Sequence, residues 1–84
     1  MTEEDVKTKI KVKILELAVA LGRDKKALGD DEVIPATGLL DSASIMMLIL
    51  WYETEFNVST DNEDLTLDNF GTVRLMADYR VRNS

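Results

Sequence analysis

The chain has 84 residues, 45% of them hydrophobic and 31% charged, which suits a single domain with a thin core. It contains no cysteine and no histidine, which excludes disulfides, thiolate chemistry, a Ser-His-Asp triad and the usual zinc sites. A net charge of −6 disfavours nucleic acid as the main partner.

The first element begins at a capping pattern, Thr2 followed by Asp5. Val6, Ile10, Ile14, Leu17 and Leu21 then recur at helical spacing, which predicts a first helix over residues 3–21 with Gly22 as its stop. Lys7, Lys9, Lys11 and Lys13 fall mostly off that apolar face. Residues 22–41 form a long connection with the only proline, Pro35, and with Leu28, Val33, Ile34, Leu39 and Leu40 as candidate anchors. Connections of this length are commonly functional or partly structured.

Asp41 is a good N-cap, with Ser42 as the first residue of a second helix that runs to Phe56 and stops at Asn57. Residues 58–64 read as a polar turn. Leu65, Leu67 and Phe70 anchor a short helical turn, and Thr72 caps a last helix through residue 81 with Val73, Met76, Ala77 and Tyr79 inward. No segment alternates with the period of a strand. The expected fold is therefore all-α: a small four-helix bundle, three main helices and one short one, with a long loop between helices 1 and 2. The whole chain, residues 1–84, is expected to be one domain.

Charge is divided unevenly. Residues 1–29 hold seven basic and five acidic side chains, residues 30–70 hold ten acidic and no basic ones, and residues 71–84 hold three basic and one acidic. The middle is a single-sign field that would steer a basic partner, or simply a solvated acidic surface. The acidic start, residues 1–5, lacks the order of a signal peptide, and the longest uncharged stretch, residues 42–52, is about half of the ~20 residues a membrane span needs. A cytoplasmic protein without a membrane span is expected.

The second helix has two apolar sides. Ile45, Leu48, Ile49, Tyr52 and Phe56 share one stripe, the predicted core face. Ala43, Met46, Met47, Leu50 and Trp51 cover the other side, where a surface helix normally carries polar residues. Either this helix is buried all round, or the second face is an exposed docking patch, a task that methionine suits because it repacks easily. The Ser42 hydroxyl stands at the start of this helix, where free N–H groups and the helix dipole favour a phosphate. No histidine or lysine stands beside it in sequence to make it a nucleophile, so it reads as an ordinary first-turn serine or as one that another enzyme modifies.

Gly38, Leu39, Leu40, Asp41 and Ser42 together resemble the attachment motif of acyl and peptidyl carrier proteins, in which a serine after an aspartate opens the second helix. The stretch from Trp51 through Val58 is similar to the end of that family's second helix, and the stretch from Leu65 through Val73 to its third-helix region. The resemblance extends over residues 5–81. It implies that a phosphopantetheinyl transferase attaches 4′-phosphopantetheine to Ser42, beside its motif neighbour Asp41. It also implies that the chain is a stand-alone carrier, itself no enzyme, which shuttles a thioester-bound acyl or aminoacyl group between partners in fatty-acid or secondary-metabolite synthesis. An acyl- or aminoacyl-loading ligase or synthase is the second implied partner, and a monomer is expected. Two departures mark the match: Ala43 stands where the family most often has leucine, and Ser44 where fatty-acid carriers commonly have an acidic residue. Met46, Met47 and Trp51 likewise replace acidic positions, which points away from housekeeping fatty-acid synthesis and toward a dedicated partner on the face of Ala43, Met46, Met47, Leu50 and Trp51.

The alternative is a non-enzymatic helical interaction module that uses the same apolar face and leaves Ser42 unmodified. A hydrolase built on Asp41, Glu53 and Glu55 is disfavoured because Glu53 and Glu55 project to different sides of the helix. Asp61, Glu63 and Asp64 lack the glycine and terminal glutamate of a calcium loop and read as solvated loop acids, so no metal is expected.

Overall fold

The computed structural model describes residues 2–23 and 27–83. Asp24, Lys25 and Lys26, counted above in the first third of the charge pattern, lie outside the described residues, as do Met1 and Ser84. Four α-helices follow one another: α1 (Glu3–Ala20), α2 (Ser42–Phe56), the short α3 (Leu67–Phe70) and α4 (Val73–Arg82). Single 3₁₀ turns at Ile34–Thr37 and Asn62–Asp64 interrupt the connections. The described residues contain no strand, and the fold is the expected small all-α bundle with a long loop between α1 and α2.

Local chemistry sets the helix ends. The Thr2 hydroxyl accepts the Asp5 N–H while the Asp5 carboxylate accepts the Thr2 N–H, each at 3.1 Å, a reciprocal capping box. At the other end Gly22 turns left-handed with φ +75°. Its N–H closes on the Val19 carbonyl, and the Arg23 N–H closes on that of Ala18, both at 2.9 Å. This pair of bonds is a Schellman motif. The turn swings Leu21 out to solvent, so the last member of the predicted apolar stripe is exposed and the helix stops one residue early. Asn57 takes the left-handed conformation at φ 52° and ends α2, with the Val58 N–H bonded to the Glu53 carbonyl at 3.1 Å. Thr72 caps α4 by accepting the Leu75 N–H, and that helix runs to Arg82, one residue beyond the expected end.

The core forms where α1, α2 and α4 converge: Val6, Ile10, Ile14, Leu17 and Ala18 meet Leu48, Tyr52 and Phe56, and both meet Val73, Met76, Ala77 and Tyr79. Tyr52 is fully enclosed, and its hydroxyl donates to the Met76 carbonyl at 2.7 Å, which ties α2 to α4. Burial pushes that hydroxyl well above the usual tyrosine range.

The long loop is held down rather than free. Leu28, Ile34, Leu39 and Leu40 are buried, whereas Val33, a predicted anchor, is exposed just before the 3₁₀ turn. The Ile34 N–H reaches the Gly71 carbonyl at 2.8 Å, and the Arg74 N–H reaches the Asp30 carbonyl at 3.0 Å. Asp30 also gathers Lys7 at 2.9 Å and Lys11 from α1. Arg74 grips Asp31 with two bonds, at 2.8 and 3.2 Å. Lys7, expected off the apolar face, is thus almost wholly buried, with its ammonium between Glu4 and Asp30. Part of the acidic middle segment is consumed inside the fold. Gly71 allows the tight passage from α3 to α4: a Cβ there would strike the Leu67 carbonyl.

Candidate functional site

The start of α2 is built by its cap. Asp41 is extended, and its carboxylate accepts the Ser44 N–H at 2.8 Å. That bond, the Ser44 hydroxyl and the nearby Arg23 charge hold the Asp41 carboxyl below the usual aspartate range. Ser44 is buried behind the cap. Upstream, the Thr37 hydroxyl donates to the Ile34 carbonyl at 2.6 Å and accepts the Leu39 N–H, and Gly38 turns left-handed with φ +72°. Leu39 and Leu40 then plug into the core. The five residues that precede the helix are therefore fixed from both sides.

Ser42 stands exposed at the first helical position. Among the described residues its hydroxyl makes no hydrogen bond, and the N–H groups of Ser42 and Ala43 take no backbone acceptor. An anion attached to this oxygen would meet the positive end of a 15-residue helix. The chemistry of the position fits a phosphate ester: a free primary hydroxyl, two unused N–H donors, and a cap carboxylate already engaged by Ser44.

The outer face of α2 is open. Met46, Met47 and Leu50 are 52%, 55% and 59% exposed, and Ala43 is exposed beside them. The helix is not buried all round. Trp51 differs from the expectation that it lies freely on this face. It is half-buried, packs edge-on against Phe56 with centroids 5.6 Å apart, and borders a shallow cleft with Val12, Lys9 and Lys13 of α1. Its contact with Phe56 and the core cluster takes part of the ring out of solvent. Ile45, predicted in the core stripe, is half-buried for a related reason: it borders an apolar cleft of about 240 Å³ on the opposite flank of α2, with Pro35, Met46, Ile49, Leu65 and Phe70. Leu67, expected as an anchor, is exposed at the rim of that cleft. Nothing in the local periodicity marks this cleft, because its walls come from the 3₁₀ turn, α2 and α3 together.

The carboxylates weighed as acid–base groups are occupied structurally. Glu53 accepts the Thr60 N–H at 2.8 Å and the Thr60 hydroxyl at 2.9 Å. Glu55 pairs with Lys9 at 3.1 Å, and Asp41 is held by the Ser44 N–H. Asp64, weighed as a calcium-loop acid, accepts the Tyr79 hydroxyl at 2.9 Å. No helix among the described residues is long and apolar enough to cross a membrane. No family model matches the chain, and no curated protein matches it.

Proposed function

We propose that the chain is a carrier protein that bears 4′-phosphopantetheine on Ser42 and presents a thioester-bound acyl or aminoacyl group to partner enzymes, catalysing nothing itself. The observation that carries this reading is Ser42: an exposed hydroxyl with no hydrogen bond among the described residues, at the first position of α2, beside the Asp41 cap and next to an open apolar face. The resemblance of residues 38–42 to the carrier attachment motif supports the same position. When attached, the group supplies a thiol on a flexible arm, which a chain without cysteine lacks.

The residues divide the work. Asp41 fixes the first turn and keeps Ser42 in register. The Ser42 and Ala43 N–H groups and the Arg23 charge favour the phosphodiester. Met46, Met47 and Leu50 form the docking face for a transferase and a loading ligase or synthase, with Trp51 as its edge. The cleft beside Met46 offers the carried group an apolar wall.

The test is the intact mass after incubation with coenzyme A and a broad-specificity phosphopantetheinyl transferase. Wild type gains one phosphopantetheine. Ser42→Ala keeps its helical circular dichroism and gains nothing. The exposed Met46, Met47 and Leu50 also favour a second reading, an interaction module with Ser42 unmodified. An unchanged wild-type mass supports that reading and removes the first.

A further inference from the structure

Among the side chains of a polypeptide without cysteine, sulfur redox chemistry rests on methionine. The three methionines among the described residues fall into two environments. Met76 is fully enclosed in the core, between α1, α2 and α4. Met46 and Met47 are neighbours on the outer face of α2, each more than half exposed, and Met46 also walls the apolar cleft beside Pro35, Leu65 and Phe70. No charged residue occurs from Ser42 through Tyr52, so the polarity of this face depends on a few side chains.

We propose that Met46 and Met47 form an oxidative modification site for a peroxide-class oxidant, and that their sulfoxides switch the α2 face from apolar to polar. In each step a thioether lone pair attacks one peroxide oxygen. The S–O bond forms as the O–O bond breaks, the sulfur loses two electrons, and hydrogen peroxide leaves as water once the transferred oxygen has given up its proton. The product carries a strong dipole at a position that held a soft apolar atom. Neither side chain belongs to the core cluster, so the fold survives both oxidations. Met76, whose oxidation would put that dipole inside the buried core cluster, is shielded by the same packing that makes it vulnerable. The sulfur chemistry stands without the carrier reading; only the expected loss of enzyme docking rests on it.

The experiment treats the full chain with dilute hydrogen peroxide and follows each methionine by peptide mass spectrometry, helicity by circular dichroism, and the apolar face by fluorescence of a neutral solvatochromic dye such as Nile red. Met46 and Met47 oxidise at least about tenfold faster than Met76, because the core sulfur reacts only through rare opening. Helicity is unchanged, dye fluorescence falls by about half or more, and methionine sulfoxide reductase restores it. The double variant Met46→Leu, Met47→Leu binds the dye and ignores peroxide. Three results overturn the proposal: Met76 keeping pace with the outer pair, helicity lost in step with oxidation, or dye binding indifferent to it. The mass gain at Ser42 is read separately, so failure here and failure of the carrier reading are told apart.

Discussion

Removing one oxygen atom tests how α2 is fastened to α4. In Tyr52→Phe the ring keeps its edge contacts with Phe56 and Phe70, at 5.4 and 5.7 Å between centroids, and only the 2.7 Å bond from the hydroxyl to the Met76 carbonyl disappears. No cavity larger than one oxygen results. The Met76 carbonyl lies inside α4, where the helix ladder gives it another donor, so it is not stranded. The loss should therefore match a net buried hydrogen bond, about 1–1.5 kcal/mol. For a domain of this size that corresponds to a fall in Tm of about 4–12 °C. A second readout comes from alkali. The folded-state hydroxyl is pushed above its ordinary value of 10.0 by burial. Its contribution to stability is thus fully present below about pH 10 and is lost as the pH rises through the folded-state value. Tyr52→Phe should lose less stability between neutral pH and pH 11 than wild type. Urea melts followed by circular dichroism at both pH values give both numbers. Equal midpoints at neutral pH, together with equal alkaline losses, would refute the claim that this bond holds the two helices.

Asp30 is the second test. Lys11 and Lys7 hold its carboxyl at about 2, against an ordinary value of 3.8, so its stabilisation is present above about pH 4 and disappears as the pH falls toward 2. Asp30→Asn leaves the buried Lys7 with only the exposed Glu4 and should cost about 2 kcal/mol at neutral pH, with a shallower acid limb in urea melts. Met47→Glu should change stability by no more than about 0.5 kcal/mol, as an outward residue does. The same variant should slow loading by a dedicated partner enzyme, since an apolar interface would bury an unpaired carboxylate; a melt shifted by several degrees would show that Met47 supports the fold.

The helix ends were readable from residues because caps are local. Thr2 with Asp5, Gly22, Asp41, Asn57 and Thr72 each act within a few positions of the backbone they satisfy. The same holds for Ser42, whose place at the first turn follows from the Asp41 cap. The features that local sequence does not show depend on distant partners. Lys7 is buried because Asp30 arrives from the loop to meet it, and Trp51 is half-buried because it packs on Phe56 and the core cluster. Leu21 and Leu67 follow the apolar pattern, but a Schellman turn carries one outward and the shortness of α3 leaves the other at the rim of a cleft. That cleft itself joins three segments separated in sequence by many residues, so no single stretch announces it.

The seam between the loop and α4 has a kinetic consequence. Ile34 binds Gly71, and Asp30 and Asp31 bind Arg74, across separations of about forty residues. The core contacts between α1 and α4 span still more of the chain. Closing such loops costs entropy before any packing repays it, so this bundle should fold more slowly than helical hairpins of the same size. During synthesis α1, the loop and α2 leave the ribosome before α4 exists. Until Gly71 and Arg74 have been added, the loop that precedes Asp41 has only its α1 partners, Lys7 and Lys11 on Asp30, so the seam that ties it to α4 closes last.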